Sequence, residues 1–438
     1  MDVQLETPGG LVRQIRVRIP ADRVAKSFDD RLKQVAQRAR VAGFRPGKAP
    51  LKVIEQQFGA SVRMEAVQDL VRGSYPEALD KAGVNPASAP SFEVVAEKPG
   101  EPLEYVARFE VYPQIELKGL EALKIERPAV EVTEADVEKM IESLRKSRRE
   151  LENVTRGAAD GDVVTIDFEG FLDDVAFEGG KAEESTVEIG RGQFIADLEK
   201  GLIGHAPGET FDVMATFPAD YRAENLKGKT ARFHIAMKAV KAPKLPELNE
   251  EFFVAHGVEA GKGLEGLKDK IRTALTTERD KAVRNAVKSQ ALDQLLEQNP
   301  IPLPEGMVAQ ETQRLRDETA SRFNAAQMKP EQKQKMFPDE LLAPGARRRV
   351  ALGLLIGEII KTRKILLEQP RMEKVLDELA ADYQQPEMVK QHYRNRPELM
   401  QGVRAMVLEE QVVDALISGA APSEKAMSLD ELLNPPKK

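Results

Sequence analysis

Cysteine and tryptophan are both absent from the 438-residue sequence, and histidine occurs only four times, at His205, His234, His256 and His392. Without Cys there are no disulfides, thiolate nucleophiles, thiolate-bound zinc ions or iron–sulfur clusters. No two of the four His residues have the spacing of a metal-binding pair, so we expect neither a metal ion nor another cofactor.

Long apolar runs are missing as well. The longest, Val350 to Gly357, has eight residues, whereas a membrane-spanning helix needs about 20. The first residues carry Arg13, Arg16 and Arg18 and contain no apolar segment of the kind found in a signal peptide. The sequence therefore predicts a soluble cytoplasmic protein with no membrane partner.

Charge is distributed unevenly along a chain whose net charge is −7. No acidic residue occurs between Arg31 and Ile54, whereas the same stretch contains the basic residues Arg31, Lys33, Arg38, Arg40, Arg45, Lys48 and Lys52. A local basic face on an acidic protein favours docking to one polyanion over general coating of nucleic acid. An ordinary solvated helix face is the alternative that the charge pattern leaves open.

The first 112 residues predict a small α+β domain. Apolar residues alternate in its strand-like segments and recur every three or four residues in its helix-like segments. We predict strands over 11–20, 91–97 and 103–111, and helices over 22–41, 50–59 and 61–82, with Gly59 separating the last two.

Beyond this domain the pattern changes three times. Residues 113–149 predict a solvated arm with one helix that begins after Thr133. Residues 150–246 predict a β-rich domain with strands at 162–168, 186–189, 210–216 and 230–240 and a helix near 194–200. Residues 247–438 predict an all-α domain with helices at 305–325, 345–368, 371–383 and 397–418, and a disordered tail over 421–438.

One short loop combines rigidity, an apolar ring and positive charge. It comprises Gly43, Phe44, Arg45, Pro46, Gly47 and Lys48, followed by Ala49 and Pro50. An exposed ring can fill a pocket on a protein partner, while Arg forms a fork with phosphate or carboxylate. The competing interpretation is a helix–helix turn whose Phe44 folds into the core.

A second motif extends over residues 161–240. It contains Gly161-Asp162, Asp167-Phe168, Phe177-Glu178, Phe194-Ile195, Leu198, Phe217-Pro218, Tyr221 and Phe233 in that order. A single aromatic residue on a strand is most often part of the core, but an ordered set of them is more specific.

Together the two motifs resemble the trigger factor family of bacterial ribosome-associated chaperones. The resemblance implies a multidomain α+β chain with four parts. Residues 1–112 would bind the ribosome, and 113–149 would form an extended linker arm that packs with the C-terminal domain. Residues 150–246 would form a β-rich FKBP-type peptidyl-prolyl isomerase domain, and 247–438 an all-α chaperone domain with arms.

The resemblance also implies a catalytic site without any cofactor. Phe168, Phe177, Ile195, Tyr221 and Phe233 fall where FKBP-type domains line the proline pocket, and Glu178 takes the place of an acid beside it. Leu198 departs from the family pattern, because a large aromatic residue usually forms the pocket floor. The backbone N–H of Ile195 would hold a substrate carbonyl.

The implied partners are the large ribosomal subunit near the polypeptide exit tunnel, through both protein and rRNA, and nascent or unfolded polypeptides. DNA is not among them, and the free protein could form a homodimer. Eight of the 13 Met residues fall within 301–438, and flexible Met side chains suit varied clients.

Two other functions stay open at this point. Leu198 favours a chaperone whose FKBP-like pocket binds apolar segments without catalysis. The basic stretch allows a nucleic-acid-binding protein, although its short length and its lack of interleaved aromatic residues argue against that.

Overall fold

The structure is a computed structural model that describes residues 1–42, 44, 47–120, 123–221, 223–224, 226–325, 327–381, 383–420 and 423–435, except for the side chain of Glu178. The described strands are β1 (Asp2–Gly9), β2 (Val12–Ile19), β3 (Ser91–Ala96), β4 (Leu103–Glu110), β5 (Glu126–Ala129), β6 (Glu150–Val154), β7 (Val163–Leu172), β8 (Val175–Glu188), β9 (Thr210–Thr216), β10 (Thr230–Lys244) and β11 (Ser423–Ala426).

The described helices are α1 (Ala21–Arg38), α2 (Leu51–Ala82), α3 (Glu134–Ser147), α4 (Ala196–Leu202), α5 (Glu250–Ala255), α6 (Gly263–Gln298), α7 (Glu305–Arg322), α8 (Pro330–Met336), α9 (Asp339–Arg363), α10 (Gln369–Ala380), α11 (Pro386–Arg394), α12 (Pro397–Gly419) and α13 (Leu429–Leu433). Contacts divide the chain into two compact units. The first combines Met1–Arg127 with Asn285–Glu424, and the second combines Pro128–Arg284 with Lys425–Lys438.

The first unit contains a four-stranded antiparallel sheet with the strand order β1-β2-β4-β3. Ile15, Val17 and Ile19 alternate along β2 and are fully buried. They face a core that α2 closes with Val67, Leu70 and Val71. The alternation that predicts β2 therefore arises from one buried face of the sheet.

The far ends of α1 and α2 form a second, smaller core away from the sheet. Leu32, Val41, Ile54 and Val62 are buried there, and Phe28 and Phe58 pack against them. This core fixes the two ends of the loop that joins the helices.

Side-chain amides hold the extended chain after β4 against α6. The Gln290 amide accepts from the backbone N–H of Glu126 and donates to its carbonyl, at 2.9 and 2.8 Å. Gln294 binds the backbone of Lys124 in the same two-bond manner, and Asn299 binds that of Lys118. We call these three side chains the amide ladder. They supply the bonds that a neighbouring strand would give.

The helices α7 to α12 form two groups within the first unit. In the α7–α9 group, Val308 packs with Ala346 and Val350. The Glu110 carboxylate accepts from the N–H groups of Glu305 and Gly306, at 2.9 and 2.8 Å, where α7 begins. The α10–α12 group has a separate core made by Met372, Val375, Leu376, Met400, Val403 and Val407.

The second unit contains a five-stranded antiparallel sheet with the order β6-β10-β7-β8, in which β9 also pairs with β10. Helix α4 packs on this sheet through Leu198 and Leu202. Beside it, α3, α5 and the start of α6 share a core that includes Val137, Phe252, Phe253, Leu267 and Ile271. Helix α3 begins at the predicted cap, where Thr133 and Asp136 form a capping box.

Two predictions about the first unit are wrong, and one of its strands was missed. Helix α2 runs without a break through Gly59, because residues on both sides of Gly59 pack against α1. This packing offsets the cost of about 1 kcal/mol that a glycine has inside a helix. Helix α9 likewise continues through Pro344 and Gly345, since Ala346 and Val350 bury against α7. Strand β1 was not predicted, because seven of its eight residues are exposed and only Val3 and Leu5 alternate with polar residues before Pro8 and Gly9.

The prediction of a disordered tail is also wrong for residues 423–435. Strand β11 pairs with β5, and α13 begins at a capping box between Ser428 and Glu431. Leu429 is buried in the core shared by α3, α5 and α6. Met427, Leu432 and Leu433 pack against the same core, so the cap and these apolar contacts order the segment.

Candidate active site

A hairpin of β7 and β8 supplies two of the predicted pocket residues. Phe168 pairs with Ala182 across the hairpin, and Phe177 lies nearer its turn. The Phe177 ring covers two glycines: a Cβ atom at Gly170 or Gly180 would come within 2.7 or 2.8 Å of it. The glycines therefore let the ring lie flat against the sheet.

Phe233 occupies the centre of an aromatic cluster. It lies on β10 opposite Gly170, and its ring centroid is 6.1 Å from the centroids of both Phe168 and Phe177. Phe217 follows β9 and lies 6.2 Å from Phe233 and 4.7 Å from Tyr221. These edge-to-face and tilted contacts hold the rings in fixed relative orientations.

Helix α4 and the loop before it close the other side of the cluster. Leu198 is only 1% exposed, and Ile195 caps the helix, with its carbonyl accepting from the N–H of Leu198 at 2.8 Å. The Ile195 N–H makes no hydrogen bond to any residue that the structure describes. This donor is therefore available at the start of the helix.

These elements enclose a cavity of about 390 Å³, which we call the aromatic cavity. It is lined by Phe168, Phe177, Gly179, Gly180, Gly192, Gln193, Phe194, Ile195, Leu198, Phe217, Pro218, Tyr221 and Phe233. Six of the seven predicted catalytic residues meet here, and Glu178 has a side chain outside the described part of the chain. Its size and its ring-lined walls suit one proline side chain with its flanking peptide groups.

The prediction omitted two aromatic walls, Phe194 and Phe217. The Phe194 ring stands edge-on to Phe168, with 5.6 Å between the ring centroids. Both residues directly precede a residue that also lines the cavity, Ile195 and Pro218. The Phe-Ile and Phe-Pro pairs were thus a usable signal in the sequence.

The basic loop between α1 and α2 is the second candidate site. Phe44 is 43% exposed, so the alternative in which its ring joins the core is wrong. Gly47 has φ of +77°, a left-handed conformation that favours glycine. Lys48 is exposed as well, whereas Gly43, Arg45 and Pro46 lie outside the described residues.

Most of the cations around this loop are unpaired. Arg31 binds Glu65 at 2.6 Å, and Lys33 lies 3.8 Å from Asp30. Within the described ranges, no acidic side chain pairs with Arg38, Arg40, Lys48 or Lys52. Their charges are available to an external anion.

The described residues contain no helix that is both long and apolar enough to cross a bilayer. Nor does this part of the chain bring together three or more His, Asp or Glu residues that could hold a metal ion.

Comparison with known proteins connects the two candidate sites. Residues 1–144 match the family model "Bacterial trigger factor protein (TF)", and residues 263–418 match the model of its C-terminus. Between them, residues 154–238 match "FKBP-type peptidyl-prolyl cis-trans isomerase". The aromatic cavity lies within this last segment, and the basic loop lies within the first.

Curated relatives match over the whole length. The trigger factor of Thioalkalivibrio sulfidiphilus is 44% identical over 437 residues, which cover 100% of this chain and 99% of the relative. That of Shewanella woodyi is 43% identical over 436 residues, which cover 99% of each.

A solved structure of the trigger factor chaperone shares the fold, with a TM-score of 0.51 and 19% identity over 95% of this chain and 99% of the other. The multidomain fold predicted from the sequence is thereby confirmed. With full-length relatives above 40% identity and an FKBP-type segment around the aromatic cavity, the chain belongs to the trigger factor family of ribosome-associated chaperones with peptidyl-prolyl isomerase activity.

Proposed function

We propose that prolyl isomerisation takes place in the aromatic cavity. The observation that carries this proposal is the convergence of rings from β7, β8, β10 and the segment after β9 on one enclosed space. The residues proposed to act there are Phe168, Phe177, Glu178, Ile195, Leu198, Tyr221 and Phe233, and their roles follow from the chemistry of the X–Pro bond.

Amide resonance sets the barrier to rotation about the X–Pro bond at about 18–20 kcal/mol. Resonance is lost when the bond twists, and the twisted form is less polar than the planar amide. An apolar cavity that excludes water therefore favours the twisted form over the planar one. Phe168, Phe177 and Phe233 would supply this environment, and Leu198 would form a smaller floor than an aromatic residue does.

A hydrogen bond would fix the substrate while its amide rotates. The N–H of Ile195 has no partner among the described residues, so it can donate to the carbonyl of a bound peptide. Tyr221, at the edge of the ring cluster, would add a second polar contact through its hydroxyl group. No nucleophile is required, because no covalent bond is formed or broken.

Replacement of Phe233 by Ala tests this site. We expect kcat/KM for a short X–Pro peptide to fall about 100-fold, since the central ring of the cavity is lost. Phe211→Ala is the matched control: its ring stacks on His205, with 3.4 Å between the centroids, and does not line the aromatic cavity. Full activity in a folded Phe233→Ala protein would mean that catalysis takes place elsewhere. The aromatic cavity would then be a site that only binds apolar segments.

For the basic loop, we propose docking to the large ribosomal subunit near the exit tunnel. Phe44 would enter a pocket on a ribosomal protein, while Arg45, Lys48 and the unpaired cations on α1 and α2 would contact rRNA phosphates. Gly43, Pro46 and Gly47 would limit the conformations of the loop. The exposure of Phe44 and the unpaired state of Lys48 support this proposal.

A triple replacement, Phe44→Ala with Arg45→Ala and Lys48→Ala, tests the docking. We expect ribosome co-sedimentation to fall more than tenfold with the fold intact, because the Phe44 and Lys48 side chains are exposed. Val95→Ala with Lys98→Ala and Arg127→Ala removes the same kinds of exposed side chain elsewhere. Equal binding by the triple variant and by this control would reject the role of the loop.

The finer assignments rest on the family and on surface chemistry. We propose that nascent and unfolded polypeptides bind exposed apolar side chains of the helical groups, among them Phe323, Leu341, Leu366 and Met388. The domain boundaries 1–112, 113–149, 150–246 and 247–438, a cytoplasmic location and a homodimer of the free protein complete the proposal. Ultracentrifugation of the purified chain tests the dimer.

A further inference from the structure

A buried carboxylate lies directly beneath the loop that forms one wall of the aromatic cavity. Glu199, on α4, is 5% exposed. Its Oε2 atom accepts from the N–H groups of Gly190 and Gly192, at 3.0 and 3.2 Å, and its Oε1 atom accepts from the N–H of Phe194 at 2.9 Å. One side chain thus organises a five-residue loop.

The three bonds satisfy a charge that would otherwise be costly to bury. No Lys, Arg or His side chain of the described residues pairs with Glu199, so its partners among these residues are the three backbone N–H groups. Bonds from N–H groups to an ionised acceptor are about twice as strong as neutral ones. The loop is therefore held in one conformation by the carboxylate, and two positive-φ glycines, Gly190 and Gly192, permit the turn.

This arrangement decides which loop groups face the substrate. The N–H groups of Gly192 and Phe194 point inward to Glu199, whereas the next N–H, that of Ile195, is left without a partner. The Phe194 ring is placed edge-on to Phe168 in the cavity wall. Both the donor proposed to hold the substrate and the Phe194 ring of the cavity wall are thus positioned by a residue outside the cavity lining.

We infer that Glu199 is a positioning residue for prolyl isomerisation, which acts by fixing residues 190–195 in the conformation that binds the twisted peptide. The inference rests on the proposed location of catalysis in the aromatic cavity. Glu199 does not line that cavity, and it exchanges no proton with the substrate. Its contribution is pre-organisation of the loop.

Glu199→Gln in the full-length protein is the direct test, since it keeps the side-chain size and removes the charge. The amide has one oxygen for three donors and adds an NH₂ group that faces an N–H. We expect kcat/KM for an X–Pro peptide to fall about tenfold, the effect of one weakened charge-assisted hydrogen bond. The NMR signals of the Gly192 and Phe194 amides should shift as well.

Asp162→Asn is the matched control. Asp162 is 2% exposed and accepts from Arg156 and from the N–H of Ala159, neither of which lines the aromatic cavity. We expect it to lower the unfolding temperature while activity at 25 °C is retained. If the two variants lose activity only in proportion to their lost stability, Glu199 is merely structural and the inference is overturned.

Two further outcomes keep this inference separate from the site proposal. Wild-type activity and unshifted loop amide signals in Glu199→Gln would overturn the role of Glu199. Loss of activity in Phe233→Ala would still support catalysis in the aromatic cavity. If Glu199→Gln does not fold, Glu199→Asp keeps the charge, with the carboxylate one methylene farther from the loop. We then expect shifted Gly192 and Phe194 amide signals, a lower unfolding temperature and reduced activity at 25 °C, where the variant is still folded, and unchanged activity would refute the inference.

Discussion

The aromatic cavity and the helical groups offer apolar surface to polypeptides in opposite ways. In the cavity, six rings from separate elements lock one another at centroid distances of 4.7 to 6.2 Å. In the α7–α9 and α10–α12 groups, exposed apolar side chains extend from helix surfaces and loops, at Phe323, Met328, Met336, Leu341, Leu366, Tyr383, Met388 and Met406.

The difference is one of rigidity against adaptability. Rings fixed by their neighbours select one shape, as catalysis on a single bond requires. Long, unbranched side chains such as Met328 and Met336 can change rotamer to fit different chains at little cost. One polypeptide thus carries a selective apolar site and a permissive one, and the following substitutions should separate them.

The largest effect is expected from the permissive surface. A quadruple variant with Ser at Phe323, Met328, Met336 and Leu341 should lose most of its suppression of client aggregation, because apolar surface contributes about 25 cal/mol per Å² to binding. Isomerisation of short peptides should be unchanged. Light scattering of a diluted, denatured client and a peptide assay on the same preparation measure the two activities.

The control for this variant removes polar side chains from the same group. Glu331→Ser with Gln334→Ser and Lys335→Ser changes exposed residues of α8 and should leave suppression intact. If the quadruple variant suppressed aggregation as well as this control does, clients would bind elsewhere on the chain.

A smaller and opposite effect is expected from Gly180→Ala. The new Cβ atom would lie 2.8 Å from the Phe177 ring and force it to move. We expect isomerase kcat/KM to fall about tenfold, since small displacements of a catalytic group are costly, with client suppression retained. Gly402→Ala on α12, where a Cβ atom meets nothing within 4 Å, should keep both activities. Normal isomerase activity in Gly180→Ala would mean that the position of Phe177 is not critical.

The smallest effect concerns stability and pH. Two hydrogen bonds from Arg149, with a further one from Arg191, lower the pKa of Glu188. The folded state therefore binds fewer protons than the unfolded state between the two pKa values of this carboxyl group, and stability from this contact is lost as pH falls through the folded value. We expect Glu188→Gln to lower the free energy of unfolding by about 1 kcal/mol at neutral pH.

Urea unfolding at neutral pH and at about pH 3 measures this effect, since a carboxyl of ordinary pKa is mostly protonated at the lower value. The difference between Glu188→Gln and wild type should shrink at the lower pH. Glu183→Gln removes a carboxylate that is 72% exposed and should show no difference at either pH. If the difference in the free energy of unfolding between Glu188→Gln and wild type were larger at the lower pH, Glu188 would not be the source of this stability.

The sequence predicted the parts of the site that depend on local pattern. Phe168 and Phe233 stand on strands whose alternation is visible in the sequence, and Thr133 marks the start of α3. The strands and the cap depend on a few neighbouring residues, so a single sequence suffices to predict them. Leu198 was expected beside them only from the family resemblance, and it lies in the cavity lining.

The parts that were missed depend on contacts between distant segments. From the sequence alone, Gly59 predicts the end of a helix, but α2 continues because α1 packs along it. Pro344 likewise predicts a break, but α9 continues because α7 covers its next turn. Glu199 looks like an ordinary surface residue of a short helix. Only the folded loop shows that its carboxylate is surrounded by three N–H groups.

The amide ladder has a consequence for how the sequence can change over evolution. On the extended segment, Gln290, Gln294 and Asn299 bind backbone atoms of Glu126, Lys124 and Lys118 respectively and none of its side chains. The extended segment can therefore accept many substitutions at its own positions with every ladder bond preserved. The three amide-bearing positions have no such freedom, since neither a shorter side chain nor a carboxylate can donate and accept at the same distance. We therefore expect substitutions to be common along the extended segment and rare at Gln290, Gln294 and Asn299.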